Sequence, residues 1–302
     1  MAEKNKQRVH RFVSDDFTVR MAAVDATAVV QEMQNLHQSM PLATVAVGRA
    51  MVGGLLMASQ MKEGQMIGLL FKGNGALGRV YAEAQFEGKV RGYSSNPQYQ
   101  PPNYDNGLSL KEAMGHGNLT VVRHLPFQKA PFQGTVEMVS GEIGEDIAHY
   151  LHQSHQIRSL INLGVYLDAY GKVKAAGGVL IEVMPGVEEK TVDTIIANSE
   201  IFKANLSELL SQGAKAEDLI KPYMMTIPFT ELEHTHDIEY FCPCTKDRVL
   251  RALEILGEAE LDDMIAKNEV AEVTCQMCGR PYQVPVEELK EVRNTLHRSS
   301  LH

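Results

Sequence analysis

The chain has 302 residues, of which 44% are hydrophobic and 22% are charged, and its net charge at pH 7 is −9. This composition excludes a chain that is disordered throughout, and the length allows two domains. The acidic balance argues against nucleic acid as the main partner, because binding to a polyanion relies on clustered lysine and arginine.

Residues 1–186 predict a mixed α/β domain in which helices pack on a sheet. Helical spacing predicts a helix over 26–37, and the apolar run of residues 41–61 predicts a second one. Arg49 lies near the centre of that run, and a central arginine costs about 2.5–3.5 kcal/mol in a membrane. We therefore predict a buried core helix and no membrane span. Short apolar runs predict the remaining elements, which are strands at 17–20, 66–71, 79–86, 90–93, 119–125, 134–139 and 174–184, a helix at 145–155 and a loop at 93–107.

The segment Gly73-Asn-Gly75-Ala-Leu-Gly78 matches the G-x-G-x-x-G pattern of dinucleotide-binding proteins. That pattern holds a pyrophosphate only where a helix follows it. Residues 79–86 alternate with the period of a strand instead, so we predict a hairpin turn and no nucleotide site.

Residues 187–231 carry three short apolar faces with helical spacing. The second face stops at Gly213 and the third stops at Pro222. Helices shorter than about 12–15 residues are marginal in water without tertiary support. We therefore predict a helical linker that is ordered only while it packs against another surface. Its apolar faces comprise Val192, Ile195 and Ile196, then Leu206, Leu209 and Leu210, then Leu219 and Ile220.

Residues 232–302 predict a small α+β domain. Thr245 is a candidate N-cap for a helix over 246–256, which ends at Gly257. The later signals predict a helix, a hairpin and a final helix, at residues 261–267, at 270–274 with 281–284, and at 286–297.

All four cysteines lie in this last segment, as Cys242-Pro-Cys244 and Cys275-Gln-Met-Cys278, with thirty residues between the pairs. This spacing is typical of one zinc ion bound by four thiolates, a closed shell that marks a structural metal. Four unrelated buried cysteines are the alternative, which the absence of cysteine elsewhere disfavours.

The first residues lack the apolar region of a signal peptide, so we expect a cytoplasmic protein with reduced thiols.

A domain of this size has a marginal core. Zinc at thiolate sites supplies about 10–16 kcal/mol at pH 7, whereas a typical domain has about 5–15 kcal/mol of net stability. Loss of the metal should therefore unfold the domain outright. Because oxidants attack thiolates first, the pattern predicts a redox switch as well as a structural site.

Several histidines could also act as metal ligands or as catalytic groups. His234 and His236 precede the first cysteine pair and could substitute as ligands, although four cysteines already satisfy the ion. No Ser/His/Asp or Cys/His arrangement for nucleophilic catalysis is recognisable, so we predict that the protein is not an enzyme. The other histidines lack a matching set of carboxylates and are predicted to be solvated, namely His116, His124, His149, His152 and His155.

Two other classes of protein fit parts of the cysteine pattern. A zinc-ribbon protein that binds nucleic acid is disfavoured, because residues 232–302 hold 14 acidic against 8 basic side chains. Salt-sensitive retention on a phosphate-bearing column would favour it.

A dithiol oxidoreductase using Cys275 and Cys278 requires a βαβ context, whereas a hairpin is predicted here. Turnover in a disulfide-reductase assay would support that class.

The cysteine spacing closely resembles that of the redox-regulated holdase chaperones of bacteria, the thirty-three-kilodalton heat-shock protein family. Three further segments are similar to motifs of that family, and together the similarity covers essentially the whole chain. Met277 replaces the usual aromatic residue of the third motif. The segments are Arg11-Phe12 through Phe17-Thr18-Val19-Arg20, Lys174-Ala-Ala-Gly-Gly-Val-Leu-Ile-Glu-Val-Met-Pro185, and Cys275-Gln-Met-Cys278-Gly279-Arg280-Pro-Tyr282.

The resemblance implies a core domain at 1–186, a helical linker at 187–231 and a zinc redox-switch domain at 232–302. It implies ATP-independent binding of unfolding proteins, switched on by oxidants combined with heat or another unfolding stress. Clients are expected to bind the linker and the core surface that it covers, and the oxidised protein is expected to form a homodimer.

The resemblance also implies which thiols pair on activation. Four cysteines allow three connectivities, and the family pattern implies disulfides that join Cys242 to Cys244 and Cys275 to Cys278. The same four residues are then both the zinc ligands and the redox-active groups.

Overall fold

The computed structural model describes residues 7–101, 109–201, 206–233, 236–268 and 270–299. Its contacts divide the chain into two compact units, Met1–Phe241 and Cys242–His302. The predicted α+β class, a mixed α/β unit followed by a small α+β unit, is confirmed. The second unit begins at Cys242 and not at residue 232, because residues 236–240 pair with strands of the first unit. The functional division into core, linker and switch domains stays a prediction.

The described part of the first unit contains strands β1 to β12 and helices α1 to α7. In chain order they are β1 (Arg8–Ser14), β2 (Val19–Asp25), α1 (Thr27–His37), α2 (Pro41–Ser59), β3 (Met66–Gly73), β4 (Arg79–Gln85), β5 (Lys89–Ser94), α3 (Leu110–Met114), β6 (Gly117–His124), β7 (Phe132–Glu137), α4 (Gly144–His155), β8 (Arg158–Leu167), β9 (Val173–Val183), α5 (Glu189–Ile201), α6 (Leu206–Ser211), α7 (Ala216–Met224), β10 (Phe229–Glu231), β11 (His236–Asp237) and β12 (Glu239–Tyr240).

Two sheets form the frame of this unit. The first sheet has the strand order β10–β1–β2–β9–β8, and β11 pairs with the other end of β1. All of its pairings are antiparallel. The second sheet has the order β12–β5–β4–β3–β6–β7 and is antiparallel except for the parallel pair β12–β5.

Helix α2 packs against strands of both sheets. It is the one helix in the described residues that is long and apolar enough to span a membrane, yet 94% of its apolar window is buried inside the protein. Arg49 is accommodated there by an ion pair with Glu142 at 2.5 Å. The prediction of a core helix is therefore confirmed.

The glycine-rich segment between β3 and β4 is a turn. The N–H of Gly73 donates to the carbonyl of Gly78 at 3.0 Å, and the N–H of Gly78 donates to the carbonyl of Gly75 at 3.0 Å. A strand follows it, as the alternation of residues 79–86 predicted. The segment therefore lacks the helix that a pyrophosphate site requires.

The strand predicted at 17–20 is wrong in its first half. Phe17 has a φ of 59°, and the side chains of Ser14 and Asp16 accept hydrogen bonds from the N–H of Thr18 at 3.1 Å. These bonds make a turn, so β2 begins only at Val19.

Strands β1 and β8 were not predicted, because polar residues interrupt their alternation. Residues 102–108 of the predicted loop lie outside the described residues.

Helices α5, α6 and α7 lie in the predicted linker and cover one face of the first sheet. Ile196 was expected on the buried face of α5 but is 49% exposed. Pro222 was expected to end α7, which instead continues to Met224. Tyr223 and Met224 are buried in the interface with the sheet, and this packing holds the last turn despite the N–H that proline lacks. The interface residues from the helices are Val192, Ile195, Leu206, Leu210, Leu219, Ile220, Tyr223 and Met224.

Helix α6 lies very close to the sheet because two glycines face each other beneath it. Gly164 on β8 and Gly177 on β9 are cross-strand partners. A Cβ added to Gly164 would lie 2.7 Å from Cβ of Ser207, and one added to Gly177 would lie 2.5 Å from Cδ1 of Leu210. We call this pair the glycine seat of α6.

The second unit has a small core of its own. The side chain of Thr245 accepts a hydrogen bond from the N–H of Arg248 at 3.3 Å, which confirms it as an N-cap. The predicted hairpin is also confirmed. The elements are α8 (Lys246–Leu253) with a 3₁₀ turn (Glu254–Leu256), α9 (Glu258–Ala266), β13 (Ala271–Thr274), β14 (Pro281–Val284) and α10 (Val286–Ser299). The apolar residues that form this core are Val249, Leu253, Leu261, Val284, Leu289 and Val292.

Candidate metal centre

Two separate segments carry the four cysteines. Cys242 and Cys244 lie in the extended segment before α8, and Cys275 and Cys278 lie in the turn that joins β13 to β14. The hairpin and the start of α8 therefore bring together residues that are about thirty positions apart in the chain.

The four Sγ atoms lie within 4.8 Å of one another. The distance is 3.9 Å between Cys242 and Cys275 and 3.4 Å between Cys244 and Cys278. Tetrahedral coordination with Zn–S bonds of about 2.3 Å places sulfur atoms about 3.8 Å apart. All four thiols are free of disulfides. The group could hold a metal ion, and it is the one cluster of three or more Cys, His, Asp or Glu with such geometry in the described residues.

Backbone hydrogen bonds shape the turn that carries Cys275 and Cys278. The N–H of Gly279 donates to the carbonyl of Cys275 at 2.8 Å, and Gly279 has a φ of 69°. Backbone N–H groups also donate to sulfur, from Met277 and Cys278 to the thiol of Cys275 and from Arg280 to that of Cys278. The turn that contains Gly279 therefore places backbone donors against both sulfur atoms.

Tyr282 on β14 contacts the other cysteine pair. Its hydroxyl donates to Sγ of Cys244 at 3.0 Å and lies 3.1 Å from the carbonyl oxygen of the same residue. Sequence reasoning did not assign this role, although Tyr282 is the last residue of the hairpin motif quoted above. The signal that could have found it is the period-two alternation of β14, in which positions 282 and 284 share one face.

Hydrogen bonding and burial have opposite effects on the thiols. Partial burial raises the pKa of Cys244, but hydrogen bonds from Tyr282 and from the other thiols outweigh burial and lower that pKa to about 7. Burial raises the pKa of Cys275 and of Cys278, and backbone donors offset it only in part. Thiols that resist ionisation in this way need a nearby cation to persist as thiolates, and a bound dication supplies that charge.

None of the described histidines belongs to this cluster. His236 packs against Phe86 with ring centroids 4.4 Å apart, and His234 lies outside the described residues. The prediction that the histidines of α4 are solvated is wrong for His155. Its imidazole is half-buried, and its Nε2 lies 3.3 Å from the hydroxyl of Tyr150.

The interface between the first sheet and α5–α7 is a second candidate site. The three helices have only 13, 6 and 9 residues, so little of their stability is intrinsic. A cavity of about 260 Å³ opens beneath α5. Its apolar lining includes Leu160, Ile181, Val183, Val192, Ile195 and Ile196.

Comparison with known proteins gives a consistent result. A family model described as Hsp33 protein matches residues 7–285. The 33 kDa chaperonin of Synechococcus elongatus is 38% identical over 285 residues, which cover 93% of this chain and 95% of the relative. The 33 kDa chaperonin of Trichormus variabilis is 39% identical over 287 residues, which cover 93% and 94%. The crystal structure of the 33 kDa chaperonin from Thermotoga maritima matches with a TM-score of 0.90 at 33% identity, covering 97% of this chain and 100% of that one.

Proposed function

The chain belongs to the Hsp33 family of chaperones, and from that premise we propose that it is a redox-regulated, ATP-independent holdase. In this proposal it binds unfolding proteins and prevents their aggregation after oxidants modify its four clustered cysteines. No enzymatic turnover is part of the proposal.

The observation that carries the proposal is the convergence of four sulfur atoms within 4.8 Å in a unit that starts at Cys242. We propose that Cys242, Cys244, Cys275 and Cys278 hold one Zn²⁺ as a tetrathiolate in the reduced protein. Bound zinc supplies about 10–16 kcal/mol to such small folds, and the described part of this unit buries only a small cluster of apolar residues. We therefore expect the unit to depend on the metal for its fold.

Oxidation of the thiolates is the proposed trigger. Two of the four thiolates would lose two electrons to one molecule of peroxide, which would take up two protons and leave as two waters, while one S–S bond would form. Each disulfide removes two of the four ligands. Two disulfides therefore consume two peroxide molecules and leave the ion without a thiolate.

We propose that the disulfides join Cys242 to Cys244 and Cys275 to Cys278, as the family resemblance implies. The distances in the reduced protein do not select this pairing, since all four sulfur atoms lie close together. Chain connectivity supports it, because neighbours one or two residues apart keep a high effective concentration after the unit unfolds. Pairs that span the intervening segment lose that advantage.

The proposed client surface is the linker at 187–231 together with the sheet face beneath it. That face presents Phe12, Met21, Val179 and Ile181, all at most 1% exposed while α5–α7 cover it. Detachment of the short helices would expose this apolar surface, and exposed apolar patches bind the apolar segments of unfolding proteins. The net charge of −9 would help to keep the complexes soluble. We place this activity in the bacterial cytoplasm and expect a homodimer in the oxidised state, without nucleic acid or membrane as a partner.

The test compares the reduced, zinc-loaded protein with protein treated with peroxide at raised temperature. Zinc release is followed with an indicator dye, thiol loss by alkylation and mass spectrometry, and chaperone activity by light scattering of a chemically unfolded client. We expect zinc release, disulfide formation and protection of the client to rise together. A variant with all four cysteines changed to serine controls for non-specific protection. Equal protection by the reduced and oxidised proteins would rule out the switch.

A further inference from the structure

A small cavity lies where the two sheets of the first unit meet. It has a volume of about 70 Å³, and its lining combines charged groups with the apolar side chains of Met57, Met61, Ile67, Leu151 and Ile157. Arg20 on β2 and Glu182 on β9 reach it from the first sheet, Arg123 on β6 reaches it from the second sheet, and His155 closes it at the end of α4. Such a volume suits a small polyatomic ion and not a nucleotide or a peptide side chain.

The charges around this cavity do not balance. Glu182 is the one carboxylate in the described part of its lining, and Arg20 donates hydrogen bonds from Nε at 2.7 Å and from Nη2 at 3.2 Å to the two oxygens of that carboxylate. Among the described residues, no ion pair or hydrogen bond engages the guanidinium of Arg123. In a chain with a net charge of −9, a half-buried arginine without a carboxylate partner is a feature that requires an explanation.

A third arginine, which is not part of the cavity lining, lies near Arg20. Arg11 on β1 is half-buried, and burial together with the nearby charge of Arg20 lowers the pKa of its guanidinium. Arg20 therefore pairs with the carboxylate of Glu182 and is repelled by the guanidinium of Arg11. In the part of the chain that the structure describes, no hydrogen bond engages the Nη1 of Arg20, which remains available as a donor.

His155 is the fourth ionisable side chain of the cavity lining, after Arg20, Arg123 and Glu182. Burial, and then the charges of Arg123 and Arg20, lower the pKa of its imidazole. Tyr150 contacts its Nε2, which leaves Nδ1 for another partner. An anion in the cavity would reverse the repulsion from the two arginines and favour the imidazolium.

We propose that this cavity binds a tetrahedral oxyanion of the phosphate class. Arg20 and Glu182 cancel each other, so Arg123 and a protonated His155 supply two positive charges, which match a dianion. Charge-assisted hydrogen bonds from guanidinium to phosphate are the strong kind. Because Arg20 belongs to the first sheet and Arg123 to the second, a bound ion connects the two sheets and stabilises the first unit. The proposal does not depend on the redox switch.

Inorganic phosphate is the probe, added to the full-length reduced protein against sodium chloride of equal ionic strength. At a phosphate concentration about five times its Kd, linkage predicts a rise of about 2–4 °C in the melting temperature of a unit of this size. Arg123→Gln should weaken phosphate binding about 10–100-fold, the effect of losing a charged hydrogen bond. Arg123→Lys, which keeps the charge without the planar fork, should fall in between. Arg79→Gln removes an exposed arginine of the same unit and is the matched control.

Proton NMR of His155 gives a readout that a general salt effect would not move. Phosphate should raise the pKa of His155 in the wild type and in Arg79→Gln but not in Arg123→Gln, with the resonance assigned by its loss in His155→Gln. An unchanged His155 pKa in the wild type, or an equal thermal shift in wild type and Arg123→Gln, would overturn the proposal. Both results leave the redox switch untouched, so failure of one idea is distinguishable from failure of the other.

Discussion

The hydroxyl of Tyr282 donates a hydrogen bond to Sγ of Cys244 across 3.0 Å, although 38 residues separate the two in the chain. This bond ties β14, in the hairpin that carries Cys275 and Cys278, to the segment before α8, which carries Cys242 and Cys244. Partners of this kind orient a ligand and tune its basicity. Tyr282 is therefore a positioning residue of the candidate metal centre.

Replacing Tyr282 with phenylalanine should weaken zinc binding about 10–100-fold, the usual effect of losing a group that orients a ligand. Competition with a chelator of known affinity measures it, and Tyr170→Phe, which alters a tyrosine that is 91% exposed, is the control. Equal zinc affinity in Tyr282→Phe and wild type would show that the hydroxyl does not support the site.

Removing zinc from the reduced protein with a chelator should unfold residues 242–302 and leave the first unit folded. The reason is that the second unit buries few apolar side chains, whereas two sheets and α2 share a large core in the first. Hydrogen exchange followed by mass spectrometry locates the change, and re-addition of zinc should restore protection. Retained protection of the amides of α8 and α10 after chelation would contradict the proposed dependence on metal.

Gly164→Ala should push α6 off its glycine seat, because the new Cβ would lie 2.7 Å from Cβ and 2.9 Å from the backbone nitrogen of Ser207. Overpacking of this kind typically costs about 1–3 kcal/mol. We expect the reduced, zinc-loaded variant to expose part of the sheet face and to protect an unfolding client without any oxidant. Light scattering of the client measures this gain.

Gly144→Ala is the matched control for that variant. Its Cβ would lie 3.4 Å from the nearest atom, the carbonyl oxygen of Ile161, which is an ordinary contact. Reduced Gly144→Ala should remain inactive. Inactivity of reduced Gly164→Ala, with its linker amides as protected from hydrogen exchange as in the wild type, would show that the seat does not hold the linker closed.

The half-buried His155 should make the first unit less stable in mild acid. Burial, and then Arg123 and Arg20, lower its pKa in the folded state below the ordinary value of 6.5. As pH falls below 6.5, the unfolded chain therefore takes up the proton before the folded protein does. The free energy of unfolding then decreases with falling pH until the pH reaches the pKa of His155 in the folded state. Urea unfolding in phosphate-free buffer at pH 7.5 and pH 5 should show a smaller loss for His155→Gln than for the wild type.

His152→Gln serves as the control for this effect, because His152 is an exposed histidine on the same helix. It should lose as much stability between the two pH values as the wild type does. The same loss in His155→Gln would show that His155 does not couple to folding.

Local features were accessible from the sequence. The N-cap at Thr245, the turn at Gly73–Gly78, the apolar core helix and the hairpin that carries Cys275 and Cys278 each depend on residues within a few positions of one another. Periodicity and turn chemistry report such short-range structure directly. One error was local, since side chains of a turn displaced the start of β2. The other was not, since packing against the sheet carried α7 past Pro222.

The sequence by itself determined the four candidate ligands, because two close cysteine pairs leave no other set of thiols to choose from. It also determined that the helices of residues 187–231 are short and need a surface to pack on. Only the tertiary structure decided that Tyr282 contacts Cys244, that Gly164 and Gly177 face each other beneath α6, and that Arg20, Arg123 and His155 meet in one cavity. The physical reason is that strand register and helix docking are set by the sum of many weak long-range contacts. Spacing along the chain carries no record of which distant residues those contacts bring together.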